Sequence, residues 1–141
     1  MSIKAEFFQQ QRFALVGDSR TKKYPKFTMK YLQEKGKTVY PVDLAGGQPG
    51  FLDSLADVPA DAEAVIIEVA KEDTKDVVAS ALDKGLERIW IHQMTETPEA
   101  VELATSRGAS VHTGNCAVMY LAPTASPHAL HRGIWKLIGR F

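Results

Sequence analysis

An alternation constrains this chain more than any other feature. Short apolar runs rich in strand formers are separated by segments whose apolar residues recur at helical spacing. The runs are Arg12 to Val16, Thr38 to Val42, Ala64 to Val69, Arg88 to His92 and Ala109 to His112. Between them, Phe27, Tyr31 and Leu32 (with Met29 nearer the flank), then Val77, Val78, Ala81 and Leu82, then Ala100, Val101 and Ala104 mark three helices. Gly36, Gly85 and Gly108 close those helices, where a left-handed cap costs glycine least. Thr97 before Pro98 has the form of a cap with proline just inside, and Ser54 to Pro59 reads as one helical turn. Strands joined by helices imply right-handed crossovers. The expected fold is therefore α/β, a Rossmann-like three-layer αβα sandwich on a five-stranded parallel sheet of order 3-2-1-4-5.

Two further helices flank this core. Ser2 is placed to cap a first helix in which Ile3, Phe7 and Phe8 share a face, expected to pack on the sheet edge. Ser126 and Pro127 open a last one, with Leu130, Ile134, Leu137 and Ile138 on one face and His128, Arg132, Lys136 and Arg140 on the other. A solvated basic face is the expected use of that stripe. Trp135 and the apolar side of this helix permit a homodimer or another protein partner without requiring one.

At 141 residues and 45% apolar, the chain has the size and core of one domain, residues 1–141. Seventeen basic and seventeen acidic residues cancel, which excludes a surface built throughout for nucleic acid or anionic membrane. A single cysteine, Cys116, rules out an internal disulfide framework. No signal peptide or long apolar span is apparent, so the cytoplasm is the expected location.

The chemistry concentrates where the first apolar run breaks. Arg12 to Val16 ends at Gly17 and passes into the polar, basic loop Asp18-Ser19-Arg20-Thr21-Lys22-Lys23-Tyr24, with a helical pattern from about Pro25. Strand, turn and helix start coincide there, and unpaired helix amides together with the positive end of the helix dipole favour an anion. Backbone N–H groups are expected to hold it, supplemented by Ser19, Lys22 and Lys23. Gly17 stands alone, without G-x-G-x-x-G or a terminal Gly-Lys-Ser/Thr, so an ordinary strand-to-helix turn is the competing reading. In the expected strand order the switch point lies between strands one and four. It brings Gly17 to Lys23, Asp43, Val69 to Lys71 and Gln93-Met94 to one crevice, and the broken stretch Gly46, Gly47, Pro49, Gly50 belongs to that edge.

In this order, Val16-Gly17-Asp18-Ser19-Arg20, Gly36 through Tyr40-Pro41-Val42-Asp43, Ser54-Leu55-Ala56-Asp57-Val58-Pro59, the Trp90 strand and Asn115-Cys116 resemble the CoA-binding domain family. This small Rossmann-like domain is also found at the front of the succinyl-CoA synthetase alpha subunit. The resemblance runs from about Phe13 to Leu121. It implies that Gly17, Asp18, Ser19, Arg20, Lys22, Lys23 and Tyr24 surround the phosphates of coenzyme A or an acyl-CoA. It also implies that Val42 and Asp43 meet the adenosine end, that Val69, Ala70 and Lys71 flank the cofactor, and that Gln93, Met94, Asn115 and Cys116 line the same crevice. Two positions depart from the family pattern: Asp43 stands where many members have asparagine, and Met94 where many have glycine. An acidic residue ending strand two is also how NAD-binding folds take a ribose hydroxyl.

No nucleophile with a base, metal triad or pair of opposed carboxylates emerges from the spacing. Cys116 is a candidate nucleophile if a helix start lowers its pKa, and otherwise a small buried apolar residue. With His128 and His131 it gives three zinc-type ligands but no fourth, and no metal is expected. The phosphorylated histidine of the synthetase belongs to a following domain that this sequence does not contain. The expectation is a small-molecule binder without catalysis of its own. An NAD(H)-binding or redox-sensing module, and an interaction protein with an unoccupied ancestral pocket, remain as alternatives.

Overall fold

The computed structural model describes residues 3–121. In order it forms α1 (Ile3–Phe7), β1 (Arg12–Gly17), α2 (Lys26–Glu34), β2 (Thr38–Asp43), β3 (Ala64–Glu68), α3 (Thr74–Asp83), β4 (Arg88–Ile91), α4 (Pro98–Ser106), β5 (Ser110–His112) and α5 (Val118–Leu121), with single 3-10 turns at Leu55–Asp57 and Lys71–Asp73. Ser2 and the Ser126 helix with its basic stripe lie outside the described residues. The expected Thr97 cap forms, its Oγ1 accepting from Ala100 N at 3.1 Å, and in the expected turn at Ser54 to Pro59 the Ser54 Oγ accepts from Ala56 N at 3.1 Å.

The sheet is five-stranded and parallel, as expected, but its order is 2-1-3-4-5 rather than 3-2-1-4-5. The reason lies in composition. Pro41 cannot donate to a ladder, which confines β2 to an edge. All five residues of β3 are buried, so β3 needs cover on both faces and neighbours on both sides. The switch point therefore falls between β1 and β3, and the last residues of the three strands meet: Gly17 pairs with Asp43 on one side and Glu68 on the other.

Side chains alternate between two cores. Ala14, Val16, Val42, Val65, Ile67, Ile89 and Ile91 pack against α3 and α4. Phe13, Leu15, Ile66 and Trp90 pack with α1, α2 and α5. The first helix packs on this second face and reaches the edge strand β5: the Phe7 ring centroid lies 5.7 Å from Phe13, 5.4 Å from the fully buried Trp90 and 5.6 Å from His112 of β5. On α2 the inward residues are Thr28 and Leu32, while Phe27 is 61% exposed and stacks on Tyr31.

Candidate functional site

The β1–α2 loop is tied down from within. Asp18, buried as β1 ends, accepts from Arg20 N and Nε at 3.0 Å and from Arg20 Nη2 at 2.8 Å, while its carbonyl accepts from Thr21 N and Lys22 N. The Arg20 fork holds the Asp18 carboxyl below its usual range against the opposing effect of burial. Asp43 is buried at the end of β2, and its Oδ1 accepts from Ser19 N and Ala45 N, both at 3.0 Å. Burial pushes its pKa up, but these amide bonds outweigh that effect and leave it lowered. The amides of Ser19, Arg20, Thr21 and Lys22 are thus spent on Asp18 and Asp43. They are therefore not free to form the expected backbone cradle: the Asp43 carboxylate takes the Ser19 amide, the Asp18 carboxylate takes that of Arg20, and the Asp18 carbonyl takes those of Thr21 and Lys22.

Gly17 is required by the packing of the loop that follows it. A Cβ there would lie 2.7 Å from both Tyr24 Cδ2 and Pro25 Cδ, so glycine makes room for Tyr24 to fold back over β1. Tyr24 is buried and donates its hydroxyl to Leu15 O at 2.7 Å. Burial is the main cause of a raised Tyr24 pKa, with Glu68 and Asp43 adding to it.

Beside this loop opens a groove of about 1040 Å³, lined by Ser19 through Thr28 and by Lys30, Gln48, Glu68, Cys116 and Val118. Arg20, Lys22, Lys23, Lys26 and Lys30 make its wall basic, and Glu68 is the one carboxylate among the lining residues. Of the residues expected to bind, the groove gathers Ser19, Arg20, Lys22, Lys23, Tyr24 and Cys116. Asp18 instead borders a smaller space of about 190 Å³, lined also by Arg20, Ser54, Asp73, Asp76 and Ser80.

The other expected residues do not line the groove. Val42 and Val69 are fully buried in the core against α3 and α4, on the far side of the sheet. Ala70 precedes the 3-10 turn that Lys71 begins, and its carbonyl accepts from Asp73 N. Gln93 N donates to Asn115 O at 3.1 Å, and buried Asn115 accepts through Oδ1 from Lys4 Nζ, so this pair binds the α1 end to the β4 and β5 turns. Met94 is 83% exposed at φ 68°, a left-handed backbone that glycine adopts without strain.

Sequence reading missed Lys26, Lys30, Thr28 and Glu68. The spacing of Lys26 and Lys30, four apart on one helix face, was available as a signal. So was the acidic end of the otherwise apolar run of β3. Glu68 Oε2 accepts from Thr28 Oγ1 at 2.8 Å, and Oε1 lies 3.3 Å from His92 Nδ1.

A family model described as CoA binding domain matches residues 11–122. The chain belongs to the CoA-binding domain family. No curated protein sequence matches it. Among solved structures, a hypothetical protein from Pyrococcus horikoshii OT3 is similar at 28% identity and TM-score 0.70, over 83% of this chain and 86% of that one. A conserved hypothetical protein from Pyrococcus furiosus is similar at 25% identity and TM-score 0.67, over 76% and 96%. Prb, a protein redesigned for binding, matches at 28% identity and TM-score 0.73, over 83% and 86%. These neighbours share the Rossmann-like α/β fold of this chain, and the family supports a small-molecule nucleotide ligand of the CoA type. Among the described residues, no helix is long and apolar enough to cross a membrane.

Proposed function

We propose that this CoA-binding domain binds coenzyme A or an acyl-CoA in the basic groove, as a binder without catalysis of its own. The observation that carries the reading is the groove wall: Arg20, Lys22, Lys23, Lys26 and Lys30 converge beside a single acidic side chain. Coenzyme A presents three phosphate groups, and a row of five cations complements them where a neutral or cationic ligand would gain nothing. Because four loop amides are already engaged, side-chain cations rather than backbone N–H groups carry the phosphate recognition. The NAD(H) reading loses its support at Asp43, whose Oδ1 serves two amides and whose Oδ2 is buried without a partner. A ribose hydroxyl has no exposed oxygen to meet there.

Calorimetric titration with CoA, dephospho-CoA and NADH tests this reading. CoA is expected to bind tightest and dephospho-CoA less well. The double variant Lys22→Ala, Lys26→Ala should lower CoA affinity by about five- to twentyfold at low salt, with the loss shrinking as salt rises. Tightest binding of NADH, or CoA binding indifferent to both lysines, would overturn it.

A further inference from the structure

The floor of the groove holds a polar cluster that phosphate recognition does not use. Glu68 is the last residue of β3, 8% exposed, and it follows four buried apolar residues. Thr28 on α2 donates to its Oε2, and His92, just beyond β4, brings Nδ1 within 3.3 Å of its Oε1. His92 Nδ1 is itself buried and makes no aligned hydrogen bond. The other groups acting on the pair are Lys22 and Tyr24 from the β1–α2 loop and Glu96 beyond β4, and Cys116 from the segment after β5 lines the same groove.

Burial pushes Glu68 up to about 7, against the downward pull of the Thr28 hydrogen bond and of Lys22. Burial also pushes His92 down to about 4, assisted by Lys22 and opposed by Glu96. The contact is therefore not an ion pair. A carboxyl and a neutral imidazole share a space in which the carboxyl is close to half protonated at neutral pH. Lys22 is the cation acting on both groups, and it also lines the groove.

We propose that Glu68 and His92 form a proton-binding site coupled to the groove, so that a phosphate-bearing ligand seated on Lys22 raises the proton occupancy of the pair. This rests on the reading of the groove as a phosphate site. The sign follows from Coulomb's law: a polyanion at Lys22 cancels the cation that stabilises the Glu68 carboxylate and adds negative charge nearby, so the protonated form gains. Linkage then makes the ligand bind more tightly as pH falls from about 8 to 6, with a limit of tenfold per pH unit for one full proton.

Dephospho-CoA is the suitable probe, because its pyrophosphate does not titrate near neutrality, whereas the 3′-phosphate of CoA does. Titration calorimetry at pH 7.5 in Hepes and in Tris, whose ionisation heats differ, counts the protons exchanged. Uptake of about half a proton per ligand is expected for the wild type. None is expected for Glu68→Gln, in which that position cannot titrate. The carboxyl carbon shift of Glu68, followed by NMR in the wild type, should titrate at higher pH with ligand than without, which keeps the test independent of how the variant folds. Binding with no proton uptake, with release, or with the same uptake in Glu68→Gln overturns the coupling and leaves the groove reading standing. Failure of dephospho-CoA and CoA to bind at all sinks the groove reading, and the coupling with it.

Discussion

Two carboxylates flank Gly17 in the sheet, Asp43 at the end of β2 and Glu68 at the end of β3, and both are nearly inaccessible. Their ionisation runs in opposite directions: Asp43 is held below its usual range, and Glu68 is pushed up to about 7. Burial acts upward on both. The difference is that Asp43 meets two backbone N–H groups, while Glu68 meets one hydroxyl and an imidazole that burial keeps neutral. Accessibility thus says little about the charge of a strand-end carboxylate. The number and kind of donors aimed at it decide whether it serves as a fixed anion or as a proton site.

The largest expected effect comes from disturbing what separates the two sides. Gly17→Val sets a branched side chain against Tyr24 and Pro25 and should cost about 3 kcal/mol or more in chemical unfolding. A loss under about 1 kcal/mol would mean that the Tyr24 fold-back is not rigid.

On the fixed-anion side, Asp43→Ala leaves the Ser19 and Ala45 amides without their acceptor and should cost about 2–3 kcal/mol. Asp43→Asn keeps an oxygen for them and should cost about 1 kcal/mol. Equal losses for the two variants would show that charge, not the hydrogen bonds, matters at this turn.

On the proton-site side the effect changes with pH. A carboxyl whose folded pKa is raised from 4.5 to about 7 adds stability that is complete below about 4.5 and is lost as pH rises through 7. Relative to wild type, Glu68→Gln should therefore gain about 3 kcal/mol between pH 4 and pH 8.5, with the difference level below about pH 4.5. His92 works the other way. Its folded pKa is depressed, so stability falls as pH drops from about 6.5 to 4, but it does so in wild type and variant alike and cancels in their difference. A gain that stayed constant with pH would show that Glu68 does not titrate in this range.

Much of the architecture was legible in the residues, and the failures have identifiable physical causes. Periodicity and glycine placement located five parallel strands and the helices between them, and the Thr97 cap and the helical turn after Ser54 were recognisable. Strand order was misassigned, although Pro41 in β2 and the unbroken apolar run of β3 both carried the information. At the site, the basic loop was visible, but the engagement of its amides was not, since that depends on Asp18 and Asp43 turning inward. The partnership of Glu68 with Thr28 and His92 joins three elements that only the fold brings together.

The central claim is that the basic groove, and not the Asp43 turn, receives the ligand. Backbone amide NMR of the wild-type protein titrated with CoA measures this directly. The largest shifts are expected for Ser19 to Lys30, Gln48, Glu68, Cys116 and Val118, with Asp43 to Ala45 and Ser54 little moved. Shifts concentrated at Asp43 to Ala45 or around Ser54, Asp73 and Ser80, with the groove unchanged, would contradict the account.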